Sequence, residues 1–198
     1  HGGPRYRSPG HRFAGKPSYN FEKGEVVDII HDPARDNPLA KIRTSDGRES
    51  LVIAAEGLCV GDTLDMKGGA RNGNVMPLGQ MPKGSSVFAI ESHPGSGPHF
   101  CKSSFATLIS NEQNKVILQL PSRQFKTLDP RCLATVGIPA GSGRGDKPFV
   151  KAGQVYYLKR ARNKLWPRTS AVKMNPVDHP FGGHTKPGMS KSISRNAP

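Results

Sequence analysis

Short apolar runs separated by turn residues recur through the first half of the chain. GEVVDIIH, LAKIRTSDGRESLVIAA, LCVGDTLDM and RNGNVMPL are rich in β-branched residues, as strands are. Asp46-Gly47 and Asn72-Gly73 mark tight turns in this region. About five short strands over residues 21–80 fit a small closed barrel better than a sandwich, which needs more strands. The pattern therefore predicts a first β-barrel over residues 21–82.

A second block repeats the pattern after GQMPKGSS (79–86), which has the composition of a linker. Its strand-like runs are SVFAIES, SSFATLIS, NKVILQLP, RQFKTL and CLATVGI. In NKVILQLP an apolar residue occupies every second position, so one face of this strand is wholly apolar. Turns are predicted at 111–114 and 121–123. We expect a second small barrel over residues 83–143 and a mainly β protein.

The two ends of the chain lack this periodicity. Residues 1–20, HGGPRYRSPGHRFAGKPSYN, form a Gly/Pro-rich basic arm that we expect to be extended unless it is bound. Residues 144–198 form a second basic extension that is also rich in glycine and proline. Its one candidate helix is KAGQVYYLKRARNK (151–164), which would expose three basic residues around roughly one turn.

The net charge of +14 is carried entirely by these ends. Residues 1–23 contribute +4 and residues 144–198 contribute +10, whereas residues 24–143 are neutral. Basic side chains neutralise phosphates, and aromatic rings stack on bases. Both kinds of residue are mixed at the ends, so we predict a nucleic-acid partner rather than merely solvated tails. The aromatic residues are Tyr6, Phe13 and Tyr19 at the front and Tyr156, Tyr157 and Trp166 at the back.

Three cysteines, Cys59, Cys101 and Cys132, are odd in number and too widely spaced for a disulfide framework. They contain no CxxC pair, so we expect no thiolate zinc site and interpret them as small buried residues in a reducing compartment. The sequence contains no run of about 18 apolar residues, so it predicts no membrane span. No signal peptide is recognised.

GSGRGDKPFVKAG (141–153) is the first candidate binding segment. Its glycines allow the backbone to approach phosphate closely, and Arg144, Lys147 and Lys151 supply positive charge. It does not match GxGxxG and lies in no strand–helix unit, so a dinucleotide site is not favoured. The alternative is a flexible loop that joins the barrel to the basic extension.

MNPVDHPFGGHTKPG (174–188) is the second candidate, and three uses are open for it. Asp178, His179 and His184 could supply three metal ligands of a hydrolase, but the loop is soft and no fourth ligand is evident. Acid–base catalysis by Asp178 and His179 is disfavoured because adjacent residues of an extended chain point to opposite sides. Docking onto folded RNA is favoured, since extended Pro/Gly backbone has polar groups that need partners.

We therefore expect the RNA contacts to lie at the two ends of the chain. Trp166 is interpreted as a stacking or wedge residue, because the residues around it in the sequence are basic and do not follow a strand pattern. Asn175 and His179 are expected to make close polar contacts, and no residue is expected to be catalytic. The predicted phosphate contacts are Arg5, Arg7, Arg12 and Lys16 at the front, and Arg144, Lys147, Lys151, Lys159, Arg160, Arg162, Lys164 and Arg168 at the back.

Several of these segments resemble one known family. AVKMNPVDHPFGG, preceded by WPRTS and GRGDKPFVKAG, is similar to the universal large-subunit ribosomal protein L-two family. IIHDPARDNPLAKI, LVIAAEG and VILQLPSRQFKTLDPRCLATVG add to the likeness, which runs from about residue 21 to residue 183. HDPARDNPLA resembles the archaeal and eukaryotic branch more than the bacterial one. Family members commonly read HPHGGG, so Phe181 here replaces a second histidine.

The resemblance implies an OB-like barrel followed by an SH3-like barrel, with basic extensions threaded into ribosomal RNA. It implies a structural, non-enzymatic protein that binds large-subunit RNA near the peptidyl transferase region and supports subunit association and translation. Its partners would be this RNA, neighbouring ribosomal proteins and the small subunit, with no membrane and no small-molecule substrate. We expect a cytoplasmic ribosomal location, no dedicated cofactor, and Mg²⁺ only as RNA-associated ions. A free-standing OB/SH3-type RNA chaperone is the alternative, which the neutral middle of the chain disfavours.

Overall fold

A computed structural model describes residues 7–66, 68–112 and 114–183. The chain forms two compact units, one of Pro9–Pro148 and one of His1–Ser8 with Phe149–Pro198. The described residues contain ten strands and one α-helix. The strands are β1 Lys23–Ile30, β2 Leu39–Thr44, β3 Glu49–Ile53, β4 Thr63–Asp65, β5 Val75–Pro77, β6 Ser86–Phe88, β7 Ala106–Glu112, β8 Lys115–Gln119, β9 Phe125–Leu128 and β10 Leu133–Val136, and the helix α1 is Ala152–Ala161.

The first sheet is antiparallel and has the strand order β3-β2-β1-β4. The predicted turn at Asp46-Gly47 joins β2 to β3. Gly47 has a φ of 75°, and its N–H donates to the carbonyl oxygen of Thr44 at 2.9 Å. Glycine suits this position because L side chains rarely adopt such a φ. The local sequence signal therefore identified this hairpin correctly.

The second sheet is also antiparallel, with the order β5-β10-β6-β7-β8-β9. Short turns connect β7 to β8 and β8 to β9. The second lies at 121–123 as predicted, whereas Asn111 and Glu112, which were predicted to lie in the first turn, are paired residues of β7. In the second of these turns Arg123 has a φ of 65°, and its N–H donates to the carbonyl oxygen of Leu120 at 2.8 Å. Two antiparallel sheets of short strands confirm the predicted mainly β fold with two barrel-like domains.

The change from one sheet to the other lies between β4 and β5, earlier than the predicted domain boundary at residue 82. Val75–Pro77 pairs with Leu133–Thr135 of β10, although its sequence position suggested the first barrel. Alternation of apolar residues shows which face of a strand is buried and does not show which strand pairs with it. The local sequence pattern therefore could not predict that β5 pairs with a strand almost 60 residues later.

The two sheets share part of their core. One buried cluster combines Val26 and Ile42 of the first sheet with Val75 and Phe88 of the second, and all four have no exposed surface. The other cluster belongs to the second sheet alone and includes Leu108. Because apolar burial is the main stabilising term, each sheet depends on the other for part of its stability. This shared core explains why residues 9–148 form one compact unit.

The predicted extended arm is attached to this unit over residues 14–19. Ser18 donates its N–H to the carbonyl oxygen of Leu51 at 2.9 Å. Tyr19 is 9% exposed, and its hydroxyl lies 2.6 Å from the carbonyl oxygen of Ala89 and 2.9 Å from Oγ1 of Thr135. The interpretation of Tyr19 as a ring available for stacking was wrong, because both the ring and its hydroxyl are satisfied inside the protein. Burial raises the pKa of this hydroxyl well above its ordinary value.

A buried aspartate fixes the same arm from another side. Asp32 has no exposed surface and accepts hydrogen bonds from the N–H groups of Ala14 at 3.2 Å and Ala34 at 3.0 Å. Nε of Arg35 lies 2.6 Å from its other oxygen. Burial alone would raise the pKa of Asp32, but these hydrogen bonds and the charge of Arg35 lower it below the ordinary value. The side chain is therefore held as a carboxylate.

The cysteines differ in burial, contrary to the expectation that all three are buried. Cys132 is buried, Cys101 is partly buried and Cys59 is exposed. Cys59 belongs to a tight turn in which its N–H donates to the Oδ2 atom of Asp62 at 2.7 Å, and this turn leaves the thiol outside. Burial raises the pKa of both Cys101 and Cys132. Among the described helices, none is long and apolar enough to cross a membrane.

Candidate nucleic-acid interface

The predicted helix is present in the basic extension, and it contributes no residue to the buried clusters of the described residues. None of the residues of α1 is buried, its first turn contains no acid, and Lys159 and Arg160 lie in its last turn. Cations at a helix C-terminus interact favourably with the helix dipole. The ring of Tyr157 is 68% exposed. A helix with this surface is suited to a large polar partner.

The helix ends three residues earlier than predicted, at a turn centred on Asn163. Asn163 has a φ of 53°, and its N–H donates to the carbonyl oxygen of Arg160 at 3.0 Å. The N–H of Lys164 donates to the carbonyl oxygen of Lys159 at 2.8 Å. These two bonds form a Schellman motif, which satisfies the last carbonyl groups and redirects the chain. Nδ2 of Asn163 also donates to the carbonyl oxygen of Arg7 at 2.7 Å.

A groove of about 1090 Å³ opens beside this helix end. It is rich in positive charge and includes the indole ring of Trp166, which is half-buried. Such a combination suits phosphates with unpaired bases between them. The groove is lined by Lys159, Asn163, Lys164, Leu165, Trp166, Pro167, Arg168, Thr169, Lys173, Met174, Asn175, Asp178 and His179.

A second concavity of about 300 Å³ adjoins the groove. Tyr156 and Arg160 of α1 line it, together with Trp166 and three neighbours that also line the groove. The indole of Trp166 therefore borders both concavities. The two tyrosine rings of the helix contact each other edge to face, with 5.4 Å between the ring centroids of Tyr156 and Tyr157. Aromatic surface and positive charge thus continue from the groove onto the helix.

The segment that begins MNPVDHP forms a closed loop and not the extended chain that its composition suggested. The N–H of Gly183 donates to the carbonyl oxygen of Met174 at 3.1 Å, and the N–H of His179 donates to that of Asn175 at 3.2 Å. A Cβ atom on Gly182 would lie 2.3 Å from the carbonyl oxygen of Asn175. Glycine there allows the two ends of the loop to meet. The expectation failed because backbone hydrogen bonds close this loop without any apolar core.

His179 is oriented inside this loop by its own neighbour. The N–H of Phe181 donates to Nδ1 of His179 at 3.1 Å, and the two rings meet edge to face at 5.0 Å. An Nδ1 atom that accepts a hydrogen bond carries no proton, so the neutral ring has its proton on Nε2. Asp178 and His179 both line the groove. The turn at Asn175 thus brings together two side chains that an extended chain would place on opposite sides.

The described residues contain no group of three His, Cys, Asp or Glu side chains placed to hold a metal ion. His184, the third ligand considered for a metal site, lies outside the described residues, as does Arg5.

The groove brings together six of the predicted contact residues. Six more residues of the groove were missed, although Lys173 directly precedes the MNPVDHP motif and was detectable as a cation there; they are Asn163, Leu165, Pro167, Thr169, Lys173 and Met174. Arg144 forms an ion pair with Asp36, because the short helical turn Ser142–Asp146 lies near the 32–37 loop. The six predicted residues are Lys159, Lys164, Trp166, Arg168, Asn175 and His179, whereas Arg7, Arg12, Lys16, Lys147, Lys151, Arg160 and Arg162 do not line the groove.

Comparison with known proteins accounts for nearly the whole chain. Residues 13–66 match the family description "Ribosomal Proteins L2, RNA binding N-terminal domain". Residues 71–198 match "Ribosomal Proteins L2, C-terminal domain". The gap between the two matched ranges, 67–70, coincides with the passage from β4 to β5.

Full-length relatives carry the same name. The chain is 43% identical to the large ribosomal subunit protein uL2 of Methanopyrus kandleri over 212 residues, which cover 100% of this chain and 87% of the relative. It is 45% identical to uL2 of Halorubrum lacusprofundi, again over 100% of the chain and 87% of the relative. Identity to uL2 of Haloarcula marismortui is 44% over 98% and 85% of the two chains. With both domains matched in order, the chain belongs to the ribosomal protein L2 family.

Proposed function

We propose that this protein is a structural constituent of the large ribosomal subunit and binds ribosomal RNA through the groove of the basic extension. The observation that supports this most is the groove itself, where Lys159, Lys164, Arg168 and Lys173 surround Trp166. Among the described residues that line it, Asp178 is the single acid. The name of the relatives, large ribosomal subunit protein uL2, supports ribosomal RNA of the large subunit as the RNA that is bound.

The finer role concerns position in the ribosome. We propose that the extension binds near the peptidyl transferase region and that the protein supports association with the small subunit, in the cytoplasm. The protein takes a structural and not an enzymatic part. His179, whose Nδ1 accepts the N–H of Phe181, lines the groove and is suited to hold an RNA group in place. Mg²⁺ would be present only as ions of the RNA, without a dedicated protein site.

The test measures binding of the full chain to fluorescently labelled large-subunit ribosomal RNA by anisotropy, a readout that does not depend on Trp166, the single tryptophan of the chain. Replacing Trp166 with alanine should weaken binding by about 1–3 kcal/mol, whereas Trp166→Phe should keep most of the affinity. Exchanging Lys159, Lys164, Arg168 and Lys173 for glutamine should weaken binding and make the logarithmic salt dependence shallower, by up to about 0.9 per lost contact in helical RNA.

The matched control removes cations outside the groove. Lys83 and Lys102 are exposed residues of the Pro9–Pro148 unit, and their replacement by glutamine should change affinity much less than an equal number of groove substitutions. Equal losses from groove and control variants would count against the groove as the binding site. Failure of the tagged chain to co-sediment with large subunits would count against the ribosomal role as a whole.

A further inference from the structure

The edge of the second sheet has main-chain groups that no other described residue binds. β9 pairs only with β8 in the described part of the chain. The N–H of Leu120 donates to the carbonyl oxygen of Gln124 at 2.9 Å. This bond shows which opposite residues of β8 and β9 are hydrogen-bonded pairs and which are not. Because bonded and non-bonded pairs alternate along antiparallel strands, the N–H and C=O groups of Phe125 and Thr127 point away from β8. This edge can therefore accept another strand.

The outer face beside this edge is uncharged. Phe125 is 66% exposed, and Ile109, at the bulge of β7, is 44% exposed. Edge strands are commonly protected by outward charges, and this one has none on its outer face. Register places two rows of three residues across the outer face, Thr107, Gln119 and Phe125 in one row and Ser110, Ile117 and Thr127 in the other.

The one cation of β9 lies on the other face of the strand. Lys126 pairs with Leu118, a buried residue of the inner face, and its Nζ atom lies 5.0 Å from the centroid of the Phe100 ring. An ammonium group over an aromatic ring is electrostatically favourable. At the far end of the β7–β8 hairpin, Lys115 lies directly opposite Glu112, so those charges compensate. The outer face therefore stays neutral on a strongly basic protein.

We propose that the β9 edge and this outer face bind an extended polypeptide segment of a neighbouring large-subunit protein, which adds a strand to the second sheet. A polyanion would require cations in register with its phosphates, and the six outer positions supply none. An extended peptide instead needs free main-chain groups for affinity and apolar surface for specificity. Both are present here. The proposal depends on the proposed ribosomal function, since the partner must lie in the same subunit.

The chemistry of the edge also limits the partner segment. The two outward residues of β9 offer two donors and two acceptors, so a segment of about four or five residues suffices. Every second side chain of that segment would lie on the outer face, next to Phe125 and Ile117. β-branched or aromatic residues at those positions would pack best on this pleated surface.

The experiment uses the tagged full chain incorporated into large subunits, with photoreactive benzoylphenylalanine in place of Phe125. After irradiation and ribonuclease treatment, we expect an adduct between this position and a peptide of another ribosomal protein, identified by mass spectrometry. Thr127→Pro removes an outward N–H at an edge position where proline is tolerated, and Thr127→Val keeps that N–H. Thr127→Pro should lower the adduct yield about fivefold, as expected for one lost hydrogen bond, and Thr127→Val should not.

The other outcomes are distinguishable. An adduct to RNA, an adduct between two copies of this chain, no adduct, or equal yields from both Thr127 variants would overturn the proposal. Unfolding midpoints of the free variants show whether Thr127→Pro folds. If it does not fold, amide exchange decides instead, and protection of the Phe125 and Thr127 amides in ribonuclease-treated protein complexes supports the proposal, whereas its absence overturns it. A chain that fails to enter large subunits overturns both this proposal and the proposed function.

Discussion

The hydroxyl of Tyr19 donates a hydrogen bond to the carbonyl oxygen of Ala89, which lies 70 residues later in the chain. This contact joins the front segment to the core that the two sheets share. Tyr19→Phe would leave the carbonyl oxygen of Ala89 and the hydroxyl of Thr135 without this partner in a buried place. We expect a loss of about 1–3 kcal/mol in the free energy of unfolding, measured by urea denaturation.

The control for this change is Tyr157→Phe, which removes a hydroxyl from an exposed ring. It should alter the unfolding free energy by less than about 0.5 kcal/mol. Equal effects of the two substitutions would show that the buried hydroxyl of Tyr19 stabilises the protein no more than the exposed hydroxyl of Tyr157 does.

Asp32 gives the stability of the Pro9–Pro148 unit a defined pH dependence. Its folded-state pKa lies below the ordinary aspartate value of 3.8, so its contribution is fully present above that value. The contribution is lost as the pH falls through the lower folded-state pKa. Asp32→Asn should therefore destabilise the protein at neutral pH by about 1–3 kcal/mol, and the difference from wild type should shrink below pH 3.8.

Urea unfolding across an acid titration measures this difference, and Asp46→Asn in the exposed β2–β3 turn is the control. A wild-type advantage over Asp32→Asn that grows on acidification would contradict the assigned direction of the pKa shift.

Gly182→Ala should open the loop that begins at Met174. The added Cβ would lie 2.3 Å from the carbonyl oxygen of Asn175 and 2.6 Å from that of Met174, which are backbone atoms that cannot move away alone. We expect weaker binding to ribosomal RNA together with unchanged urea unfolding of the Pro9–Pro148 unit. Gly153→Ala is the matched control, since a Cβ there meets nothing within 4 Å and alanine favours the helix. Identical affinities for both variants would mean that loop closure is unnecessary for binding.

The N–H of Phe181 should determine the tautomer of His179. Nitrogen NMR above neutral pH is expected to show protonated Nε2 and unprotonated Nδ1. Phe181→Ala keeps the N–H and should keep this tautomer, whereas Phe181→Pro removes the donor and should allow both tautomers. A protonated Nδ1 in the wild-type protein would refute the assignment.

Local chemistry made much of the fold predictable. Gly47 identified a hairpin because the last residue of this three-residue turn must tolerate positive φ. α1 was predictable because neither proline nor glycine interrupts residues 154–164, but its end was not. Asn163 terminates it by adopting a left-handed conformation, which asparagine accepts and does not require. Pairing of β5 with β10 was also unpredictable, because the short run at Val75 is compatible with either sheet.

The site was predicted by charge and only partly by geometry. Basic residues after 144 marked the region, but charge does not show which of them converge. Lys159 and Lys173 meet in one groove only because the chain reverses after the helix. Tyr19 shows that such a pattern can also mislead. An aromatic residue between basic ones is compatible with a ring that stacks on RNA and with a ring buried in the core, and Tyr19 is buried. Only tertiary contacts distinguish the two.

The core shared by the two sheets has a consequence for synthesis of the protein. A nascent chain that ends before β6 lacks Phe88 and Ala89, which complete the cluster around Val26 and Ile42. Its first sheet would leave apolar surface exposed until those residues emerge and β10, the central partner of β5 and β6, is made. The two sheets should therefore mature together, and only after β10 has been made. Chains that terminate before β10 would therefore be expected to be substrates for chaperones and proteases.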